Sequence, residues 1–272
     1  MLRSMNDLES YAIRATDGDL GHVKDFYFDD RAWVIRYLVV DTGNWLSNRK
    51  VLISPIAVDR PDWAGKVLPV SITKEQVRNS PGIDTDKPVS RQHEMDHLGY
   101  FGYPYYWGGS GLWGMGAHPS SMRTMAHDRP GSGRDEPRDR TGFGSALDNN
   151  DPHLRSCQEI LGYHIKATDG DIGHVQGLLV EEDTWAIRYI VVETSHWWSG
   201  HLVLIAPEWI RHVSWAENTV AVNLRRQAVK GAPPYDSAVE LDRMLEMDIY
   251  RHYGRNGYWA EHEEPEFMIS KR

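Results

Sequence analysis

The sequence has little of several features that define common protein classes. Cys157 is the single cysteine among 272 residues, which excludes an internal disulfide framework and a multi-cysteine metal cluster. There is no basic excess: 30 Lys and Arg stand against 39 Asp and Glu, for a net charge of −9. Proteins that grip nucleic acid or anionic lipid need a basic surface, so we expect no nucleic-acid partner.

Long apolar runs are also missing. The longest, such as Tyr37 to Val40, are far too short to cross a bilayer, and the first residues, MLRSMNDLESY, lack the apolar core of a secretion signal. These absences predict a soluble, cytoplasmic protein without membrane insertion.

An internal repeat organises the chain. The segment that begins at Tyr11 aligns without a gap with the segment that begins at Tyr163, an offset of 163 − 11 = 152 positions. The match extends to Trp107 and Trp259, over about 97 positions with roughly 36 identities. Two copies are too few for a solenoid, so we expect two similar domains packed about a pseudo-twofold axis.

The repeat predicts the domain boundaries. The first repeat with a C-terminal helical and aromatic extension takes residues 1–107, and the second takes residues 156–260. A Gly/Pro/Ser-rich linker at 108–155 separates them, and a polar tail follows at 261–272. The linker has neither strand nor helix periodicity, which favours a flexible spacer. A partner-binding segment is the alternative, because a pure spacer seldom holds large apolar side chains such as Trp113, Met115, Met122 and Met125.

Inside each repeat the apolar pattern has a period of two, which predicts β-strands. In the first repeat the predicted strands are Ala12–Ala15, Leu20–Phe28, Trp33–Asp41, Val51–Ser54 and Val67–Ile72. Short strands with tight turns favour closure into a barrel, which removes exposed sheet edges. Helices are expected after Pro88 and Ser237. The predicted fold class is mainly β, with two small antiparallel barrels, each followed by a short helical extension.

The turn and strand residues resemble those of the PRC-barrel family. The resemblance rests on Asp17-Gly18-x-x-Gly21-x-Val23, a strand that ends in Val39-Val40, and Val51-Leu52-Ile53-x-Pro55, with counterparts at Asp169, Gly170, Gly173, Val175, Val191, Val192, Val203, Leu204, Ile205 and Pro207. The family includes the cytoplasmic domain of the photosynthetic reaction-centre H subunit, the C-terminal domain of the ribosome-maturation factor RimM, and stand-alone bacterial proteins. The chain is most similar to a tandem stand-alone bacterial member.

The resemblance implies a function by contact. Members of this family mostly bind proteins, so it implies a non-enzymatic protein-binding or scaffold module that meets a protein partner or a second copy of the chain. A photosynthetic or electron-transfer accessory and a ribosome-maturation-like factor are the alternatives by fold analogy.

One motif suggests metal chemistry. His93-Glu94-Met95-Asp96-His97 fits the His-Glu-x-x-His pattern, which on a helix presents two imidazoles for zinc and a general base. A metal-binding protein or metal-dependent hydrolase that uses His93 and His97 is therefore an alternative. In the second repeat Leu245 and Ile249 replace them on an apolar stripe expected to face a core, and no third ligand follows His97. We therefore expect no metal, no cofactor and no catalytic residue.

The predicted binding surface lies in the loop between the third and fourth strands of each repeat. Aromatic side chains at a loop tip are costly to leave in water, so they cover a barrel mouth or meet a partner. The candidate binding residues are Trp45, Leu46, His196, Trp197 and Trp198.

A histidine follows the turn glycine in both repeats. His22 is expected to share a strand face with Leu20, and His174 with Ile172. This placement predicts structural histidines that bond to a neighbouring strand, rather than a pH switch or a ligand site.

Overall fold

The computed structural model describes residues 1–82, 89–127, 153–194 and 201–260. Its strands are β1 Leu2–Ser4, β2 Ala12–Ala15, β3 Gly18–Asp29, β4 Val34–Asp41, β5 Lys50–Ile53, β6 Val67–Pro69, β7 Leu154–Ser156, β8 His164–Ala167, β9 Gly170–Glu181, β10 Ile187–Thr194, β11 Leu202–Ile205, β12 Ile210–Ser214 and β13 Thr219–Val222. Its helices are α1 Met5–Leu8, α2 Lys74–Arg78, α3 Arg91–Phe101, α4 Pro119–His127, α5 Arg226–Lys230 and α6 Arg243–His252. The prediction of a mainly β protein with short helices after each sheet is confirmed. Within these ranges no helix has the length and apolar character needed to span a membrane.

The chain divides into two compact units. The larger unit contains Leu2–Leu161 and Gly177–Arg188, and the smaller contains Met1, Gly162–Gln176 and Tyr189–Arg272. The predicted boundaries at 107, 155 and 260 stay a prediction, because this division follows contacts rather than the repeat.

In the larger unit the strands lie in the order β5-β4-β3-β2-β6, with β7 beside β3. β4 carries apolar side chains on both faces, and Val34 to Val40 are all buried. Such a strand needs cover on both sides. Part of that cover is a core cluster formed by Tyr27, Tyr37, Val39, Leu52, Val89 and Leu154.

The sheet of the second repeat has the order β11-β10-β9-β8-β13-β12, and the smaller unit holds all of it except the end of β9 and the start of β10. The bounds of β8, β9, β11 and β13 lie 152 positions after those of β2, β3, β5 and, at the first residue, β6. Buried apolar side chains fill this sheet as in the first repeat, among them Ile165, Ile172, Tyr189, Ile190 and Val220.

Each sheet contains one parallel strand pair, which the prediction of antiparallel barrels missed. β2 runs parallel to β6, with Ile13 opposite Leu68, and β8 runs parallel to β13, with Ile165 opposite Val220. Side chains alternate between the two faces of a strand whatever the direction of its neighbour. The apolar pattern therefore predicts the strands but not this direction.

The two repeats exchange strands within the larger unit. β1 lies antiparallel to the end of β9, with Leu2 opposite Glu181, and β7 lies antiparallel to the end of β3, with Leu154 opposite Asp29. Two further backbone hydrogen bonds join the repeats. The amide of Ile35 donates to the carbonyl of Trp185 at 2.8 Å, and the amide of Ile187 donates to the carbonyl of Trp33 at 2.7 Å. Every partner in one contact lies 152 positions from its counterpart in the other, so the exchange is reciprocal.

A glycine brings two neighbouring strands unusually close. Gly21 has φ +145°, and a Cβ added there would lie 1.9 Å from the carbonyl oxygen of Asp41. The counterpart Gly173 would place a Cβ 1.9 Å from the carbonyl oxygen of Glu193. The second glycine of the repeated motif is thus required by the close approach of backbone to backbone.

A bulge beside this glycine changes which side chains face the core. β3 pairs with β2 through Ile13 opposite Gly21 and Arg14 opposite Asp19, which leaves Leu20 as the extra residue. Leu20 is fully buried while His22, two residues later, is exposed. The expectation that His22 and His174 share a face with Leu20 and Ile172 as structural histidines is therefore wrong, since the bulge interrupts the alternation in both repeats.

Part of the segment between the repeats is packed on the larger unit. Trp113 is fully buried, and its indole N–H donates to the carbonyl of Thr184 at 2.7 Å. Met122 on α4 is also buried, whereas Met115 is 75 % exposed. A few large apolar side chains anchor residues 108–124. The average composition of the whole segment is polar and does not reveal these anchors. Residues 128–152 lie outside the described residues.

We predict that Gly21→Ala destabilises the protein by more than about 2 kcal/mol, because it combines an unfavourable φ with a clash against a backbone atom. The matched control is Gly99→Ala on α3, where the added Cβ meets nothing within 4 Å beyond its chain neighbours and the helix's own backbone. A helical alanine there is expected to be neutral or stabilising by about 0.5–1 kcal/mol. Urea unfolding measures both free energies, and equal effects would contradict this account of the motif.

Candidate functional site

The His-Glu-x-x-His motif lies on α3, and its glutamate is the centre of a buried polar cluster. Glu94 is fully buried. Its Oε1 lies 3.0 Å from Nη1 of Arg91 and 3.3 Å from Nε2 of His153, and its Oε2 accepts a short hydrogen bond from the hydroxyl of Tyr106. The carboxylate thus ties together the helix, the aromatic segment after it and the chain that re-enters at β7. All its contacts are with side chains of the protein itself.

Arg36 adds a second buried charge beside this cluster. Its guanidinium lies 3.9 Å from the ring centre of Tyr106 and 4.7 Å from that of Trp113, and it donates to the carbonyl of Leu112 at 2.7 Å. Asp29 lies 3.7 Å away. Burial lowers the pKa of Arg36 and raises that of Tyr106 well above its usual value. Aromatic faces and a carbonyl here take the place of water around a cation.

The smaller unit contains the same arrangement around Glu246. This carboxylate lies 3.0 Å from Nη1 of Arg243 and accepts hydrogen bonds from the hydroxyls of Tyr189 and Tyr258, each at 3.0 Å. Arg243 also lies 4.3 Å from the ring centre of Trp259. Arg91, Glu94, Tyr106 and Trp107 have the counterparts Arg243, Glu246, Tyr258 and Trp259, all 152 positions later. The glutamate recurs in both repeats, whereas the flanking histidines do not. This difference indicates that the carboxylate has a role in packing.

The two histidines of the motif face different surroundings. His97 is buried, and its Nε2 lies 3.1 Å from the carbonyl of Leu52, while His93 is half-buried. Burial lowers the pKa of His97 to about 4, so the ring is neutral at pH 7. Among the described parts of the chain, no three His, Cys, Asp or Glu side chains are grouped as a metal site requires.

The apolar stripe predicted for α6 is only partly correct. Ile249, the counterpart of His97, is buried as expected, but Leu245 is 41 % exposed. The helix carries Glu246 inward with Ile249 and Tyr250, so the buried face is turned away from Leu245.

Trp45 lies on the short 3-10 helix Gly43–Leu46, in the loop predicted to bind a partner. Its indole N–H donates to the carbonyl of Leu20 at 2.5 Å, and Nζ of Lys74 lies 4.7 Å from its ring centre. Arg78 is 5.9 Å away on the same ring. The ring is half-buried, so one part is fixed by the protein and another part faces solvent. Leu46 is also half-buried, while His196, Trp197 and Trp198 lie outside the described residues.

A groove of about 610 Å³ opens beside Trp45. Gly21 and Gly43 are among the residues that line it. The groove is lined by three carboxylates, those of Glu9, Asp19 and Asp41, and by one ammonium group, that of Lys24. Asp41 accepts a hydrogen bond from the amide of Gly43 at 2.9 Å, which orders the loop. The groove therefore presents an aromatic face next to a surface richer in negative than in positive groups.

Comparison with known proteins supports the fold of the first repeat. Residues 3–77 match the PRC-barrel domain family. The match contains the glycine turn, the strands β2 to β6 and Trp45. A protein of Deinococcus radiodurans, described as an uncharacterized protein, is 32 % identical over 95 residues, which cover 33 % of this chain and 34 % of that protein. The chain thus spans about a third of the length of this curated relative.

The buried cluster could not be recognised as a unit from its motif alone. The repeat contained a usable signal, because Arg, Glu, Tyr and Trp recur at the same four positions of both copies. Arg36 also recurs as Arg188, but there the recurrence is misleading, because Arg188 pairs instead with Glu181 at 2.6 Å.

We predict that Glu94→Gln lowers the free energy of unfolding by about 3 kcal/mol, because it leaves the cation of Arg91 buried without its carboxylate. The matched control is Asp96→Asn, an exposed carboxylate two residues away, which is expected to change it by less than about 0.5 kcal/mol. Urea unfolding provides the measurement. If the two variants were equally stable, Glu94 would be free for another role.

A second prediction concerns pH. The pKa of His97 is about 4 in the folded protein against 6.5 for an unperturbed imidazole. Because the folded pKa is the lower one, the unfolded state takes up the proton first as the pH falls. The contribution to stability is therefore complete above pH 6.5 and is lost between pH 6.5 and 4, up to about 3 kcal/mol.

We expect His97→Ile, which introduces the residue of the second repeat, to remove this part of the pH dependence. The measurement is the free energy of unfolding at pH 7 and pH 4.5 for the native protein and the variant. His22→Ala, at an exposed histidine, serves as the control and should retain the native slope. An unchanged slope in His97→Ile would show that the imidazole is not held neutral in the interior.

Proposed function

We propose that the chain is a non-enzymatic protein-binding or scaffold module of the bacterial cytoplasm, built from two PRC-barrel repeats. Its partner is another protein or a second copy of the chain. The family match over residues 3–77 supports the first barrel, and the offset of 152 between corresponding strands supports a second barrel of the same type.

The burial of the reactive side chains supports a role without catalysis. Glu94 is engaged by Arg91, His153 and Tyr106, and His97 by Leu52, all within the interior. A general base or metal ligand must reach a substrate, and these groups are committed to packing contacts instead.

The observation that carries the proposal is the environment of Trp45. Tryptophan side chains held rigidly at a surface are typical anchors of protein interfaces, because they bury a large area at little cost in side-chain entropy. Here the hydrogen bond to Leu20 and the cation of Lys74 fix the ring, while the adjoining groove stays open.

The charges around the groove suggest the kind of partner segment. Lys74 and Arg78 lie over the indole, at 4.7 and 5.9 Å from its ring centre. The groove itself is lined by Glu9, Asp19 and Asp41. A segment that offers one large apolar side chain and nearby Lys or Arg residues complements this surface.

We predict that Trp45→Ala weakens association by at least about 2 kcal/mol, the loss typical of an interface anchor. Sedimentation velocity of the full chain measures self-association, and affinity purification from the native host with quantitative mass spectrometry measures partner capture. Circular dichroism establishes that the variant is folded.

The matched control is Met244→Ala, which removes another exposed apolar side chain, 75 % exposed, on α6 of the smaller unit. It should leave both measurements unchanged. Association that survives Trp45→Ala in a folded protein, or that falls equally in the control, would refute the assignment of the interface to this groove.

A further inference from the structure

A pair of histidines faces solvent on the sheet of the smaller unit. His164 on β8 lies directly opposite His174 on β9, and both side chains are exposed. Their ring centres are 4.6 Å apart. On the other side of β8 lies β13, whose Thr219 is opposite His164.

The geometry points to a divalent transition-metal site shared by these two imidazoles. An ion bonded at about 2.0–2.1 Å to one nitrogen of an imidazole lies about 3.2 Å from the centre of that ring. Two such rings around one ion have centres about 4.5–5.2 Å apart for nitrogen–metal–nitrogen angles between about 90° and 109°. The observed 4.6 Å falls in this range.

The chemistry of the ligands selects the class of ion. Imidazole nitrogens suit Zn²⁺, Cu²⁺ and Ni²⁺, whereas Mg²⁺ and Ca²⁺ prefer oxygen ligands. The described residues bring no third His, Cys, Asp or Glu to the pair. The remaining coordination positions are thus left to water or to a small ligand, as in an exchangeable site rather than a closed structural one.

The backbone holds the pair in register. Ile165 is buried beside His164, and the amide of Val175 donates to the carbonyl of Tyr163 at 2.9 Å, one position before the pair in the ladder. The strands therefore fix both Cα atoms, and an ion needs only side-chain rotation to bind.

The first repeat supplies a natural comparison. There Ala12 lies opposite His22 in the same position of the corresponding strands, so one imidazole is present and its partner is missing. The site belongs to the second repeat alone and is independent of the proposed protein-binding groove.

Isothermal titration calorimetry of the full chain with Zn²⁺ tests the proposal. We expect one equivalent whose Kd rises by more than about tenfold in His164→Ala and in His174→Ala, since losing even an outer-shell partner of a metal ligand costs about that much. His22→Ala is the matched control and should bind as the native protein does. In NMR spectra the ring protons of His164 and His174 should shift together as this equivalent is added.

A gain of function sharpens the test. Ala12→His places a second imidazole opposite His22 and should add one further equivalent of Zn²⁺ with a similar Kd. Native affinity in both His164→Ala and His174→Ala would overturn the proposal. So would an equal loss in His22→Ala, because binding would then be spread over surface histidines.

Discussion

A buried carboxylate ties the helix at the end of each repeat to the aromatic segment that follows it. Glu94 in the larger unit and Glu246 in the smaller each meet an arginine one helical turn earlier and a tyrosine hydroxyl from the segment after the helix. Breaking such a pair by removing one member costs several kcal/mol, because a charge is left in a medium that solvates it poorly. The aromatic segment, the helix and the sheet therefore form one packed body in each unit.

The same constraint limits where function can reside. Contacts inside the larger unit engage Glu94 and His97 of α3. The exchanged strands β1 and β7 cover edges that would otherwise be open. Close backbone approach at Gly21 fixes the turn beside the groove, so Trp45 projects from a rigid base. The proposal of binding at the loop rests on this arrangement, in which Trp45 lies at the surface while Glu94 and His97 are buried.

Much of the fold could be predicted from the sequence, because it depends on local patterns that recur. The offset of 152 located both sheets, and the alternation of apolar residues located their strands. Three features were beyond such patterns. The alternation of apolar and polar residues is the same in parallel and antiparallel strands, so the parallel pair of β2 and β6 was missed. The bulge at Leu20 shifts the alternation by one residue and turned His22 outward. Trp113 is buried by residues distant in sequence, which composition cannot reveal.

The candidate site was predicted unevenly for the same reason. Trp45 was singled out because a tryptophan in a loop is informative by itself, and its role in binding stays a prediction. The meaning of His93-Glu94-x-x-His97 depended on what surrounds it: the glutamate faces Tyr106 and Arg91, and the histidine His97 faces a carbonyl. A sequence motif shows which side chains are close along a helix. Whether they contact a ligand or one another depends on the residues packed around them.

If Glu94 serves packing through its bond to Tyr106, the two side chains are energetically coupled, and a double-mutant cycle measures that coupling. Glu94→Gln, Tyr106→Phe and the combined variant are compared with the native protein by urea unfolding. We expect a coupling free energy of at least about 1.5 kcal/mol, as for a buried hydrogen bond to a charged group. Additive effects, with a coupling near zero, would contradict it.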